Sequence, residues 1–339
     1  MLKIILLFVG VLTLVFIVWH VGPGRIYDVT AQLGPVALLI MLIPSVIMYV
    51  VEAYGWKVTL GPSAKHLPFW RVLAIRTAGE VVNVTTPAGY AGGEPLKAYL
   101  LKNRNVPMVD GVTSVVIAKT TMTVAEVLFI LLGIALGMWL LGGNDSSGQT
   151  VAAALFSVVL LALGTTAFVF VQRQGIFTWL LQSLRKVGLK IRYLEAREEK
   201  LRSLDRTILD FYRYNRPAFC ASTGLFFLGW MAEALEVYVI IYFLGGPAIA
   251  LSAISISALS VFIKGGTFFI PGSLGAQDGG NLFLLNAFGY SDLAGITFAL
   301  LRRFRELAWI GIGLLCLALL RGSIAKIPKI RPFDSEVGP

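Results

Sequence analysis

Apolar residues run along this chain in blocks long enough to cross a bilayer, separated by short polar or basic connections. A spanning helix needs about 20 predominantly apolar residues, and six stretches fit that pattern: 4–19, 36–56, 112–141, 151–171, 217–243 and 295–320. Two further apolar stretches, 69–101 and 251–288, are each broken near the middle by Pro and Gly. The pattern predicts re-entrant helical hairpins there, entering and leaving on one face. Irregular backbone at that depth needs protein or a water-filled cavity around it. Residues 172–216 are charged but periodic, with one stripe at Ile176, Phe177, Leu180, Leu181 and Leu184 and another at Leu194, Leu201, Leu204 and Ile208. That predicts an amphipathic helical connection lying on the membrane surface. The first stretch reads as an anchored helix, because no small-residue cleavage site follows it.

Composition removes the soluble alternatives. Of 339 residues, 57% are hydrophobic and 14% charged, against roughly 25% charged in a soluble domain. Two soluble domains could not be wetted by so little charge, so lipid must cover much of the surface. A nucleic-acid binder is excluded on the same ground, despite a pI of 9.7. The expected fold is an all-α polytopic membrane protein. A single membrane domain spans 1–339, with about six full transmembrane helices and two re-entrant hairpins.

The formal charge of +10 matters through its placement. Residues 172–216 hold 11 Lys/Arg against 5 Asp/Glu, 57–109 hold 7 against 2, and 321–339 hold 4 against 2. The connections at 20–35, 142–150 and 244–290 carry only Arg25 and Lys264 between them. Basic loops stay cytoplasmic, which puts both termini inside and makes 172–216 a cytoplasmic connection facing anionic lipid. Cys220 and Cys316 read as packed thiols, and His20 and His66 sit on different loops. No metal-ligand spacing, nucleophile elbow or phosphate-cradling loop occurs, so no metal, cofactor, ATP-driven pump or enzyme activity is expected.

Sliding the chain by 184 residues aligns Glu52 with Glu236, Tyr54 with Tyr238, Pro87 with Pro271 and Glu94 with Asp278. The same offset aligns Gly111 with Gly295, Thr113 with Thr297 and Lys119 with Arg303. Repeat A is 36–141 and repeat B is 217–320. Each is a span, a hairpin and a long span, and the two start on opposite faces. Inverted repeats with broken helices are a transporter pattern, with the substrate site at the repeat interface.

The hairpin tips are Pro87, Gly89, Gly92 and Gly93 ahead of Glu94, and Pro271, Gly272 and Gly275 ahead of Asp278. The carboxylates either cap the second half-helices or take part in ligand binding or gating. The last span carries Arg302, Arg303, Arg305 and Glu306, and Lys119 and Glu126 lie on the equivalent span. Charges inside a span are costly and face a polar interior. Two readings stay open. The groups are ion pairs holding the bundle together, or Arg binds a phosphate-like head group while Glu52, Glu126, Glu233, Glu236 and Glu306 serve as exchangeable or gating counter-charges. The second is favoured.

At these residues the chain resembles the flippase-like membrane domain of lysylphosphatidylglycerol synthases and its stand-alone relatives. The marks are Pro87, Gly89, Gly92 or Gly93, Glu94 and Lys97, then Pro271-Gly-Ser-Leu-Gly with Asp278, then the Arg-bearing span. Lys97 stands where the family commonly has Arg, and Asp278 where it has Glu. Residues 272–280 with Leu-Leu-Arg-Arg-Phe-Arg-Glu-Leu further resemble the hopanoid-biosynthesis-associated branch. The resemblance implies transbilayer movement of a lipid or lipid-linked group in a bacterial cytoplasmic membrane. No aminoacyl-transferase domain accompanies these residues, so synthase activity is not expected. The substrate-contacting set is then Arg302, Arg303, Arg305, Lys119, Glu94, Lys97 and Asp278, with ion coupling through Glu52 or Glu236. A secondary transporter of a soluble anion is one alternative. Another is a membrane partner of lipid-biosynthetic enzymes docking through 174–214, and a homodimer stays open.

Overall fold

The computed structural model describes residues 19, 23–85, 92–141, 198–267 and 276–320, with scattered positions between 163 and 185. Among these the chain is helical, without strands. The helices are α1 (Pro23–Leu60), α2 (Phe69–Thr85), α3 (Gly93–Lys102), α4 (Met108–Leu141), α5 (Glu198–Tyr214), α6 (Arg216–Phe243), α7 (Ala250–Gly266), α8 (Ala276–Ala287) and α9 (Asp292–Leu319).

Three helical segments are long and apolar enough to cross a membrane: Leu33–Ala64, Met108–Leu140 and Arg216–Phe243. They correspond to the expected spans 36–56, 112–141 and 217–243. Helix α9 covers the expected span 295–320 and has a comparable 28 residues, but its middle holds three arginines and a glutamate. Residues 4–18 of the first stretch and most of 151–171 lie outside the described residues, as do the tip residues Pro87, Gly89, Pro271, Gly272 and Gly275. The two interrupted stretches are helix pairs, α2 with α3 and α7 with α8, each pair in contact.

One expectation needs correction. Residues 23–33, read as part of a polar connection, are helical. Gly34 then leaves helical geometry at φ 76°, ψ 163°, ahead of Pro35. Positive φ suits glycine, and proline has no N–H to continue a hydrogen-bond ladder. The apolar part of α1 therefore starts afresh at a break rather than emerging from a loop.

Helix α1 packs along α6, α4 packs along α6 and α7, and α9 packs against α2 and α8. The first helix of each pair thus lies on the long helix of the other half of the chain. These seams are built from small residues and neutral hydrogen bonds, the usual glue between helices when lipid removes the hydrophobic drive. Gly55 faces Phe226, Gly133 faces Ala258, and Gly313 faces Val81. Ser222 bonds Thr121 at 2.8 Å and donates to the Gly55 carbonyl at 2.9 Å, while Ser255 donates to the Gly133 carbonyl at 2.8 Å. The core beneath is aromatic and aliphatic, with Phe129, Phe226 and Ile256 fully buried.

Helix α5 presents polar and charged residues on its outer face and buries Ile208 on the other. Its Asp205 is also buried, because it accepts the Thr178 backbone N–H at 2.8 Å and the Thr178 hydroxyl. Of the first predicted stripe, Leu181 is buried; Ile176, Phe177, Leu180 and Leu184 lie outside the described residues. So does Leu194 of the second stripe, while Leu201 and Leu204 are half-buried beside Ile208.

Candidate functional site

Where the two halves meet, a cavity of ≈ 340 Å³ opens between α1, α2, α4, α6, α7 and α9. Its walls hold nine ionisable side chains: Arg76, Lys119, Lys264 and Arg305 with Glu52, Glu80, Glu126, Glu233 and Glu306. Tyr49, Trp230 and Trp309 supply aromatic surface. Tyr49 of α1 and Trp309 of α9 stack in parallel at 3.6 Å, and the indole N–H donates to Ser45 at 2.9 Å. Together they bridge α1 and α9 along one side of the cavity.

In the first half, Arg76 donates to Glu52, with both side chains buried, and its guanidinium lies 5.2 Å from the Tyr49 ring centre. One turn further along α2, Glu80 accepts from Lys97 of α3 at 2.6 Å. Lys97 also donates to Glu94 at 3.2 Å. Asn83 joins the two half-helices. Its carbonyl takes the Gly93 N–H at 2.7 Å, and its amide donates to Glu94 at 3.1 Å. Capping of the second half-helix therefore comes from Asn83, while Glu94 serves the ion-pair network. A side chain on Gly93 would run into the Gly79 carbonyl, and a Cβ on Gly79 would lie 2.5 Å from Lys97 Cε. These glycines let α2 and α3 close over the buried lysine. Half-buried Gly92 directly precedes Gly93.

The second half distributes its charges differently. Helix geometry turns each successive side chain by about 100°, so Arg303 points away from Arg302 and Arg305, and the three arginines of α9 together reach four carboxylates. Arg302 pairs with Glu233 and donates to Ser260 at 2.9 Å, and Ser260 donates to Asn281 at 2.6 Å. Arg303 grips Asp278 through two bonds of 3.0 Å and donates to Glu306 at 2.6 Å. Arg305 donates to Glu236 at 2.8 Å and lies 3.9 Å from Glu233. Lys264 is 3.7 Å from Glu306. Asp278, like Glu94, sits in the first turn of its half-helix but is held by a guanidinium.

Of the residues singled out in the sequence, Glu52, Lys119, Glu126, Glu233, Arg305 and Glu306 line the cavity. Arg302, Arg303 and Glu236 are buried behind its wall. Lys97 and Glu94 meet Lys119, Arg76 and Glu80 in a small adjoining pocket. Arg76, Glu80, Lys264, Asn83, Tyr49 and Trp309 were not anticipated. Glu126 alone among the cavity carboxylates makes no hydrogen bond or close ion pair with a described residue; Lys119, Glu233 and Lys264 are the charges around it. The interior ion pairs described above each join groups of one half. The seam between the halves carries the neutral bonds and the Tyr49–Trp309 stack.

Comparison with known proteins places this arrangement. The family model of the lysylphosphatidylglycerol synthase TM region matches residues 2–314. A UPF0104 membrane protein of Methanothermobacter thermautotrophicus is 25% identical over 287 residues, covering 81% of this chain and 82% of that protein. No solved structure matches. A match over nearly the whole chain, on a helical bundle with membrane-length apolar helices, makes this an integral membrane protein that belongs to the family of the lysylphosphatidylglycerol synthase TM region.

Proposed function

We propose that the protein moves an anionic or lipid-linked head group across the bilayer through the cavity between its halves, without ATP hydrolysis. One observation carries the reading: a cavity of ≈ 340 Å³ lined by nine ionisable side chains at the meeting of the halves. Such groups are expensive at bilayer depth and are kept where a polar path needs them. The pairing of α2 with α9 and of α7 with α4 supports an inverted-repeat arrangement, in which the halves rock about a central site. Arg305 then offers its fork to a phosphate oxygen pair while Glu236 releases it, and the acyl part stays in lipid.

The charge balance adds a condition on the cargo. Four basic side chains face five carboxylates in the cavity, a formal −1 when all are ionised. A phosphate monoanion at about 6 Å from one excess carboxylate meets roughly 3 kcal/mol of repulsion at an effective dielectric of ~20. The cargo therefore arrives with a proton, and Glu126 is the acceptor, since it lines the cavity without a hydrogen bond or close ion pair to a described residue, whereas Glu52 is engaged by Arg76 and Glu236 lies behind the wall.

The test uses the purified protein in vesicles holding fluorescent phosphatidylglycerol in both leaflets, with an impermeant quencher outside. Wild type exposes the inner-leaflet label, and Arg305→Ala slows that exposure sharply while its helical content is unchanged. Vesicles whose inner label stays protected with wild type, or an Arg305→Ala protein as fast as wild type, overturn the reading. A carrier of a soluble anion is the second reading, favoured by the Tyr49–Trp309 stack that bridges α1 and α9. Trp309→Ala speeds lipid movement if head groups enter sideways through that seam, and leaves it unchanged if the cargo is soluble.

A further inference from the structure

A second site lies away from the central cavity, where α5 runs into α6. We propose that the groove there holds a resident anionic phospholipid, its phosphate gripped by Arg206, Arg213 and Arg216. The proposal stands whether or not the transport reading does.

The groove measures ≈ 890 Å³, room for a head group and the first part of its acyl chains. Its polar wall follows from helix register. Arg206, Asp210 and Arg213 recur at i, i+4 and i+7 on the exposed face of α5. Asn215, at φ −113° and ψ 39°, then bends the chain so that Arg216 opens α6 beside them. Beside it the lining is apolar, formed by Leu209, Tyr212 and Phe219, with the last two rings edge-to-face at 5.7 Å. Phe219 belongs to a helix apolar enough to cross the membrane, and α5 is amphipathic. The groove therefore sits where head groups and chains part company.

The arginines of this segment are used unequally. Arg202 and Arg185 bind Glu198 at 2.7 and 2.8 Å. By contrast, Arg206, Arg213 and Arg216 make no side-chain hydrogen bond or ion pair with a described residue, although Arg213 lies 5.7 Å from the Tyr214 ring centre. With Asp210 the groove has a net charge of +2. A guanidinium fork matches a phosphodiester bidentately, and the adjoining apolar wall selects a lipid over a soluble phosphate. A zwitterionic choline lipid would bring its cation against three others.

Binding is measured on the full-length protein in detergent, by native mass spectrometry with dioleoylphosphatidylglycerol and dioleoylphosphatidylcholine as probes. The expected preference for the glycerol lipid is roughly thirtyfold, from two net basic charges facing an anionic head group. Arg206→Gln, Arg213→Gln and Arg216→Gln together reduce it to the choline level, whereas Arg202→Gln leaves it intact. Cys220 lines the groove and is exposed, so its maleimide labelling in a Cys316→Ser background slows when the glycerol lipid is added. That readout needs no arginine variant. Equal retention of both lipids by wild type, an unaffected triple variant, or labelling of Cys220 that ignores the lipid overturns the proposal. So does soluble glycerophosphoglycerol protecting Cys220 as well as the lipid does.

Discussion

Gly133→Ala tests the seam between α4 and α7 at its narrowest point. A Cβ at position 133 would overlap the Ala258 methyl, and the next atoms, Ala258 Cα and the Ser255 carbonyl oxygen, lie at 3.5 and 3.6 Å. Non-bonded carbons rest about 3.5–4.0 Å apart, so the helices must part by more than an ångström. Overpacking of this kind costs about 1–3 kcal/mol. The bond from Ser255 to the Gly133 carbonyl, now 2.8 Å, would stretch as well, adding roughly 0.6 kcal/mol for a hydrogen bond within a membrane bundle. The expected loss is about 2–3 kcal/mol, read as a lower unfolding midpoint in nanodiscs. The repair is specific: Ala258→Gly removes the offending methyl and leaves Ala258's own Cα position at ordinary contact distance. The double variant should regain most of the loss. Two single changes whose effects simply add, or a Gly133→Ala protein as stable as wild type, would refute the close approach of α4 to α7.

Two further outcomes follow. Glu126→Gln removes the cavity carboxylate without a hydrogen bond, and should leave lipid movement intact at symmetric pH while abolishing its acceleration by an imposed pH gradient; an undiminished response rules Glu126 out as the proton acceptor. At the surface, hydrogen bonds from Arg185 and Arg202 hold the Glu198 carboxyl below its usual range. A depressed carboxylate adds stability above its ordinary pKa and loses it as pH falls through the lowered value, so the protection factors of the amides at 198–214, corrected for the intrinsic pH dependence of exchange, should be flat at neutral pH and fall below about pH 4, and Glu198→Gln should flatten that dependence.

The long apolar helices and the two helix–break–helix units were readable because uninterrupted hydrophobic length and mid-stretch Pro and Gly each have a direct structural meaning. The α9 arginines stood out for a similar reason, as charges inside an apolar run. Arg76 and Glu80 have the same character but were hidden. They fall in a stretch rich in basic residues, where Arg76 looked like one more orientation charge. The repeat offset also failed to flag them, since it sets Arg76 against Ser260 and Glu80 against Lys264. Their signal was local: one helical turn apart in an apolar stretch, as a pair facing one wall. Pairing was less readable still. Glu233 and Glu236 could be named as counter-charges, but their allotment to Arg302 and Arg305 depends on how α6 and α9 cross. Asn83 could not be found at all from its sequence neighbours, because its partners Gly93 and Glu94 lie beyond the tip.

The separation of ion pairs by half has an electrical consequence. A charge moved through a membrane potential gains or loses about 2.3 kcal/mol per 100 mV. The interior groups of α6–α9, four basic and four acidic, form a neutral body, while those of α1–α4 comprise Arg76, Lys97 and Lys119 against Glu52, Glu80, Glu94 and Glu126. A proton on Glu126 cancels that remaining unit. With its anionic cargo aboard, the protonated protein then moves one negative charge, and the empty, deprotonated return moves one as well, so membrane polarisation would hasten one half of the cycle and slow the other, while the full cycle moves no net charge.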